Sequence, residues 1–177
     1  MSNEIATFGA GCFWCLESAL NQLKGVDKAL SGYMGGQTAN PDYRSICTGT
    51  TGHAEVVQVS FNPDIISFKQ LCQIFFALHD PTQLNRQGND IGTQYRSVVF
   101  FHSEQQAAIV RDLIDELTTG NMFDKPIVTE LSPASTFYVA EDYHQGYFLQ
   151  NPQQGYCQFI VAPKMAKFRQ LFSSLLR

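Results

Sequence analysis

The chain has 177 residues, enough for one domain with a substantial core and short of what two would need. Its 44% hydrophobic and 12% aromatic content excludes a disordered tail, and a formal charge of -4 argues against nucleic acid or an anionic membrane as main partner. Only 16% of residues are charged, against roughly 25% in an average soluble domain, so burial rather than surface ion pairing is expected to hold the fold.

In chain order, Ile5 to Phe8 reads as a short strand that ends in the turn Gly9-Ala10-Gly11. Leu16, Ala19, Leu20 and Leu23 recur at helical spacing, with Gly25 as a C-terminal cap, so Cys12 falls at the start of a helix. Residues 40–52 (NPDYRSICTGTTG) read as a loop. A strand follows over about 55–61, in which Glu55, Val57, Val59 and Phe61 share one parity. Ser67 caps a helix whose apolar face is Phe68, Leu71, Cys72, Phe75 and Leu78, and Pro81 to Gly92 is a long polar loop. Tyr95 to Phe101 is a strand, and Ser103 with Gln106 has the spacing of a capping box for a helix ending at Gly120. A strand over 127–131 and an amphipathic helix carrying Phe168, Leu171, Phe172 and Leu175 complete the chain.

The order strand, helix, strand, strand, helix, strand is that of a split β-α-β, ferredoxin-like two-layer sandwich. The expectation is one α+β domain over 1–177 with an irregular C-terminal region, free of repeats and linkers. No run is long enough to span a bilayer, and residues 1–8 lack the basic and apolar regions of a secretory signal, which predicts a cytoplasmic chain.

Five cysteines, Cys12, Cys15, Cys47, Cys72 and Cys157, are an odd number, unlike a secreted disulfide scaffold. In a reducing compartment the thiols that matter are catalytic or metal-binding. Cys12 is the strongest candidate for a nucleophile. A helix N-terminus contributes roughly 0.3–1 kcal/mol to an adjacent anion, and up to about 2 when partly buried. At about 1.36 kcal/mol per pKa unit, that predicts a Cys12 thiol roughly one unit below the ordinary value of about 8.5. Phe13 and Trp14 follow directly, and both cannot be buried on the side of Leu16 and Leu20; an aromatic wall beside the thiol suits a small apolar group such as a methyl thioether. Glu55 lies on the apolar face of its strand, where loss of solvation raises a carboxyl pKa. Holding a proton at pH 7 takes about 2.7 units, roughly 3.7 kcal/mol, within reach of a partly buried group.

GCFWC at 11–15, NPDYR at 40–44, TGHAEVV at 51–57, QGNDIGTQYRS at 87–97, AEDYHQ at 140–145 and NPQQGYC at 151–157 together resemble peptide methionine sulfoxide reductase A, in that family's order and over nearly the whole chain. The resemblance implies that Cys12 attacks a sulfoxide sulfur and that Glu55 protonates the oxygen, with Tyr43 and Tyr95 donating hydrogen bonds to it. Phe13 and Trp14 would form a methyl pocket, and Asp90 would assist through a water or the substrate backbone. The substrate would be the S epimer of methionine sulfoxide, free or in proteins. The resulting sulfenic acid on Cys12 would condense to an intramolecular disulfide that thioredoxin or another dithiol reduces, with no cofactor and no metal. The resemblance places the resolving thiol at Cys157; Cys15, where many family members have glycine, makes a C-x-x-C and is the alternative. Cys47 and Cys72 read as bland, one in a loop and one on a helix's apolar face. His79, His102 and His144 read as structural hydrogen-bonding partners, and His53 as a residue near the Glu55 loop.

Other readings are a general thiol–disulfide oxidoreductase built on Cys12 and Cys15, a zinc module using Cys12, Cys15, His144 and Cys157, and an inactive binder of oxidised peptides. The first gives no work to Glu55, Tyr43 or Asp90. The second lacks the two closely spaced ligand pairs of a structural zinc site. The third leaves both an acid and a nucleophile unused.

Overall fold

In the computed structural model, which describes residues 3–177, a six-stranded sheet organises the chain. Its strands are β1 (Glu4–Ala10), β2 (Val26–Met34), β3 (Ala54–Phe61), β6 (Ser97–Phe101), β7 (Glu130–Pro133) and β8 (Tyr138–Val139), in the order β7-β6-β1-β3-β2-β8. A separate small hairpin pairs β4 (Arg86–Gln87) with β5 (Asp90–Ile91). The helices are α1 (Phe13–Leu20), α2 (Tyr43–Cys47), α3 (Phe68–Ala77), α4 (Glu104–Thr119), α5 (Tyr147–Gln150) and α6 (Ala162–Leu171). The inner order β6-β1-β3-β2 is antiparallel throughout, with α1 connecting β1 to β2 and α3 lying between β3 and β6, so the α+β, ferredoxin-like expectation holds. Among the described residues only the β6–β7 pair is parallel.

Period-two alternation decides which face packs where. Ala6 and Phe8 of β1, Val57, Val59 and Phe61 of β3, and Tyr33 of β2 enter one core with Leu16 and Leu20 of α1, Leu71 and Phe75 of α3, Val110 and Leu113 of α4, and Phe168 of α6. Each such large apolar side chain contributes roughly 1.5–3 kcal/mol when fully buried. The opposite face carries a smaller cluster, Met34, Ala54, Val56, Val98 and Phe100, covered by Ala134 and Phe137. Helix α3 begins as expected, with Ser67 accepting from the Gln70 N–H and Gln70 returning a bond to the Ser67 N–H. At α4 the Ser103 half of the box forms, but the Gln106 carboxamide bonds the His102 N–H and the Ile5 carbonyl instead.

Several elements depart from the sequence reading. The strand β2 is absent from it. From Ser31 to Met34 every residue of β2 is buried, because Tyr33 enters one cluster and Met34 the other, and alternation disappears. Helix α1 ends at Leu20, not at Gly25; Leu23 forms a bridge with Leu176, and Gly25 turns the chain into β2. The expected loop at 40–52 contains α2, capped by Asp42 through a capping box with Ser45. Tyr95 sits in a 3-10 turn (Thr93–Tyr95) before β6, and β7 starts at Glu130, later than the expected 127. The last helix lies upstream of its expected place, with Leu171 at its end and 57% exposed.

Gly32 marks how tightly β8 docks on β2. A Cβ there would stand 2.3 Å from the Phe137 ring and 2.5 Å from the Tyr138 carbonyl oxygen. We expect Gly32→Ala to cost about 1–3 kcal/mol through overpacking. Thermal denaturation should then show a midpoint lower by roughly 2–10 °C; an unchanged midpoint would mean that β8 is not held at this contact.

Candidate active site

The turn out of β1 builds the site. Gly11 has φ +85°, a left-handed conformation open to glycine, and a Cβ there would also meet the Gln87 side chain at 2.8 Å. Cys12 follows as the N-cap of α1, as the sequence predicts, with extended backbone at φ −61° and ψ 126°. The first free N–H of the helix, that of Phe13, donates to Glu55 Oε1 at 3.3 Å, while the Cys12 side chain makes no cap hydrogen bond.

Glu55 stands on β3 opposite Tyr33 of β2, on the face of the main core, and is 1% exposed. Its Oε2 has no hydrogen-bonding partner within the protein. Burial raises the carboxyl to about 8, opposed by the Phe13 N–H and reinforced by Asp90. The carboxyl is therefore largely protonated at neutral pH, as its strand parity suggests.

For Cys12 the expectation of a lowered pKa is reversed. Burial pushes the thiol well up, Glu55 and Cys15 push the same way whenever they ionise, and the Trp14 N–H opposes only part of this. The helix terminus favours the thiolate, while desolvation of the part-buried sulfur disfavours it, and the second effect wins.

Cys12 and Glu55 open on a cavity of about 190 Å³ whose other walls are Trp14, Tyr43, Asp90, Tyr95, Gln154 and Tyr156. Six elements or turns thus converge on it: α1, α2, β3, β5, the 3-10 turn at Thr93–Tyr95 and the 154–156 segment. A larger groove of about 970 Å³ runs between the end of α3, residues 122–125 and α6, but Cys12 and Glu55 do not line it. Tyr43 is the first residue of α2; its N–H donates to Glu141 Oε2 at 2.9 Å, and Tyr33 donates its hydroxyl to Glu141 Oε1 at 2.9 Å. Burial raises the phenols of both Tyr43 and Tyr95, keeping them as O–H donors. Asp90, on β5, accepts from the Tyr156 hydroxyl at 2.6 Å.

Trp14 is fixed on three sides. It stacks on Tyr147 at 3.8 Å and 7°, meets Tyr156 edge-on at 5.7 Å, and donates its indole N–H to His144 Nδ1 at 3.1 Å. Phe13 departs from its expected place: its ring is 2% exposed, packed between Tyr33 and His144, and does not line the cavity. It is the Phe13 backbone that faces the site.

All five cysteines are free thiols. Cys157 is fully buried in a π-helical turn (Cys157–Val161), its N–H donating to Gln154 Oε1 at 3.0 Å. Cys15, in the first turn of α1, is buried in the same core. Cys47 is exposed at the end of α2, one turn from Tyr43, and Cys72 is core. His79 bridges the Phe75 carbonyl and the Ser97 hydroxyl, His102 meets Thr7, and His53 holds the Gly36 N–H, all away from the cavity. Among the described residues no three His, Cys, Asp or Glu side chains gather as a metal site, and no helix is long and apolar enough to cross a membrane.

Three neighbours escape a residue-type reading, Gln154, Tyr156 and Glu141, whereas His144 is the structural hydrogen-bonding partner expected of it. Their signal is position, since they fall inside the AEDYHQ and NPQQGYC blocks beside residues already singled out.

Comparison with known proteins agrees with this geometry. Residues 4–175 match the family described as "Peptide methionine sulfoxide reductase". The chain is 54% identical over 173 residues to the peptide methionine sulfoxide reductase MsrA of Polynucleobacter asymbioticus, covering 98% of this chain and 91% of the relative. It resembles the crystal structure of Mxr1 from Saccharomyces cerevisiae in reduced form, with a TM-score of 0.81 and 35% identity over 88% of this chain and 90% of that one. It also resembles Mxr1 solved in complex with Trx2, with a TM-score of 0.57 and 25% identity over 82% and 85% of the two chains. The chain belongs to the peptide methionine sulfoxide reductase family.

Proposed function

We propose that this chain reduces the S epimer of methionine sulfoxide, free or within oxidised proteins, to methionine, with Cys12 as nucleophile and Glu55 as acid. The observation that carries the assignment of roles is the buried carboxyl of Glu55, its Oε2 unpartnered, beside the Cys12 thiol in an aromatic-walled cavity. The relatives named above share the family activity, and the complex of yeast Mxr1 with Trx2 supports recycling by thioredoxin here.

The chemistry follows from the groups present. A sulfoxide oxygen is a poor leaving group, so attack at sulfur needs a proton at oxygen. The methyl group packs on Trp14, and the oxygen takes hydrogen bonds from Glu55, Tyr43 and Tyr95. The Cys12 proton and the Glu55 proton lie in one cavity; one is passed to the sulfoxide oxygen as the Cys12 sulfur attacks. Oxygen transfer leaves methionine and Cys12 as sulfenic acid, the first rung of cysteine oxidation. Asp90 holds the cavity wall through Tyr156. A thiol then condenses with the sulfenic acid, Cys157 being the family position for it. We assign no metal or prosthetic group to the cycle, treat 1–177 as one catalytic domain, and place the enzyme in the cytoplasm, consistent with five unpaired thiols.

Cys12→Ser should abolish methionine formation without loss of fold; retained turnover in that variant, followed as methionine released, removes the mechanism.

Glu55→Gln should slow the reductive step by roughly two to four orders of magnitude, the range for a lost general acid. With Glu55 raised to about 8, its acid form is full below that pH and is lost as pH rises through it. Single-turnover rates of the wild-type chain should therefore fall above about pH 8, and the fall should be absent in the Gln variant. An unchanged rate and pH profile would move the proton source to Tyr43 or Tyr95.

A further inference from the structure

The groove of about 970 Å³ between the end of α3, residues 122–125 and α6 is several times larger than the catalytic cavity, and sulfoxide reduction makes no use of it. Its size falls at the upper end of the roughly 300–1,000 Å³ typical of small-molecule sites. Phe76 and Phe168 lie buried in its floor. Around its rim stand Leu84, Met122 and Leu171, which are 68%, 65% and 57% exposed. Apolar residues scattered over a surface need no explanation, but three gathered round one groove mark a place where apolar matter binds.

Charge narrows what that matter is. The chain as a whole carries -4, yet Arg86, Lys125, Lys164 and Lys167 line this groove against only Asp80 and Asp124. Arg86 is turned back on the Gly88 carbonyl, and Asp80 accepts from the N–H and the hydroxyl of Thr82. Among the described residues the ion pairs are Lys69–Glu116 and Arg96–Glu130, so the three groove lysines are unpaired. An ammonium beside an apolar wall is a ready partner for a carboxylate.

The uncharged polar side chains narrow it further. Both ends of the Gln87 carboxamide are taken by the Asp80 backbone, and Gln83 accepts from the Gly88 N–H. Both ring nitrogens of His79 have partners as well. A peptide laid in the groove would bring a row of backbone N–H and C=O groups with few side chains left to meet them, which is a costly burial. A ligand with one charged end and an otherwise apolar body matches the groups on offer. We propose that this groove is a binding site for a free long-chain carboxylate, its chain lying on Phe76 and Phe168 and its charge among Lys125, Lys164 and Lys167. The site stands apart from the catalytic assignment, since neither Cys12 nor Glu55 lines it.

The test is calorimetric titration of decanoate, kept below its aggregation concentration, into the whole chain. Saturable one-to-one binding is expected, weakening about fourfold for each methylene removed in octanoate and hexanoate. Decylammonium, equal in length and opposite in charge, should bind at least about tenfold more weakly. The double variant Lys125→Glu with Lys167→Glu should lose at least about tenfold in decanoate affinity, and Leu84→Asn with Leu171→Asn a similar factor. Lys24→Glu with Lys28→Glu makes the same change of charge outside the groove and should stay within about twofold of wild type. All six positions are exposed, so each variant should keep its fold and its rate of sulfoxide reduction. Equal affinity for decanoate and decylammonium would reduce the groove to non-specific adsorption, and unchanged binding in both groove variants would place the ligand elsewhere. Two other occupants are tested directly. A short peptide alternating Glu and Leu that binds at least about tenfold tighter than decanoate would make the groove a protein-docking site. Self-association of the chain, lost in Leu84→Asn with Leu171→Asn, would make it an interface between copies. Each of these four results overturns the proposal.

Discussion

The hydrogen bond from the Phe13 N–H to Glu55 Oε1 is the constraint on which the site depends. A carboxyl buried to 1% exposure costs several kcal/mol if ionised without partners. One N–H at 3.3 Å is enough to orient it and too little to ionise it. The outcome is a largely protonated acid whose second oxygen has no partner within the protein, in a residue that lines the cavity. Cys12 is the N-cap of the same helix. Acid and nucleophile therefore share one rigid reference, the first turn of α1, and any movement of that turn carries both. Because β3 supplies Glu55 and β1 runs into Cys12, the pairing of these two strands fixes the acid–sulfur geometry before any substrate arrives.

What holds the rest of the cavity is the segment after β8. Gln145 extends the sheet with its side chain, accepting from the Ser31 N–H and donating to the Ser31 carbonyl, as a backbone strand would. Glu141 ties the Tyr33 hydroxyl to the start of α2 and so sets Tyr43. Glu17 of α1 accepts from the Gly146 N–H at 2.6 Å, joining the segment to the catalytic helix. His144 completes the set. An indole N–H can only donate, so Nδ1 must accept and the neutral ring carries its proton on Nε2. Burial holds this imidazole neutral, which keeps the Trp14 wall in place.

The fold was legible where one face of an element meets a single core. Ser67 to Leu78 and the helix ending at Gly120 show clean periods and caps, and both form where expected. It was illegible where two cores compete for one strand, as at Tyr33 and Met34, or where a helix is too short to show a period, as at Tyr43 to Cys47. Even there the Asp42–Ser45 capping box was a local signal. At the site, the positions of Cys12 and Glu55 follow from turn chemistry and strand parity. The sign of the Cys12 pKa does not, because burial by residues distant in sequence outweighs the helix terminus. Phe13 shows the same limit. Adjacency to the nucleophile suggests an aromatic wall, yet its ring packs on Tyr33 and His144, and Tyr156 takes the wall position from more than a hundred residues away.

These pKa directions also separate this site from a thiol–disulfide exchanger built on the same C-x-x-C. An exchanger needs an attacking thiol whose pKa lies near ambient pH, since its substrate offers an electrophilic sulfur and no proton problem. Here burial raises Cys12 well above that range, which makes it a poor exchanger at rest. A sulfoxide changes the balance in a way a disulfide cannot. In the proposed mechanism its oxygen accepts a proton from the raised carboxyl of Glu55, and the attacking sulfur and the departing proton act in one cavity. The high resting pKa also has a protective side, because thiolates rather than thiols react with stray oxidants. On the proposed reading Cys12 is thus quiet until a substrate that supplies both an electrophilic sulfur and a basic oxygen occupies the cavity, and the same arrangement that slows Cys12 alone makes it selective.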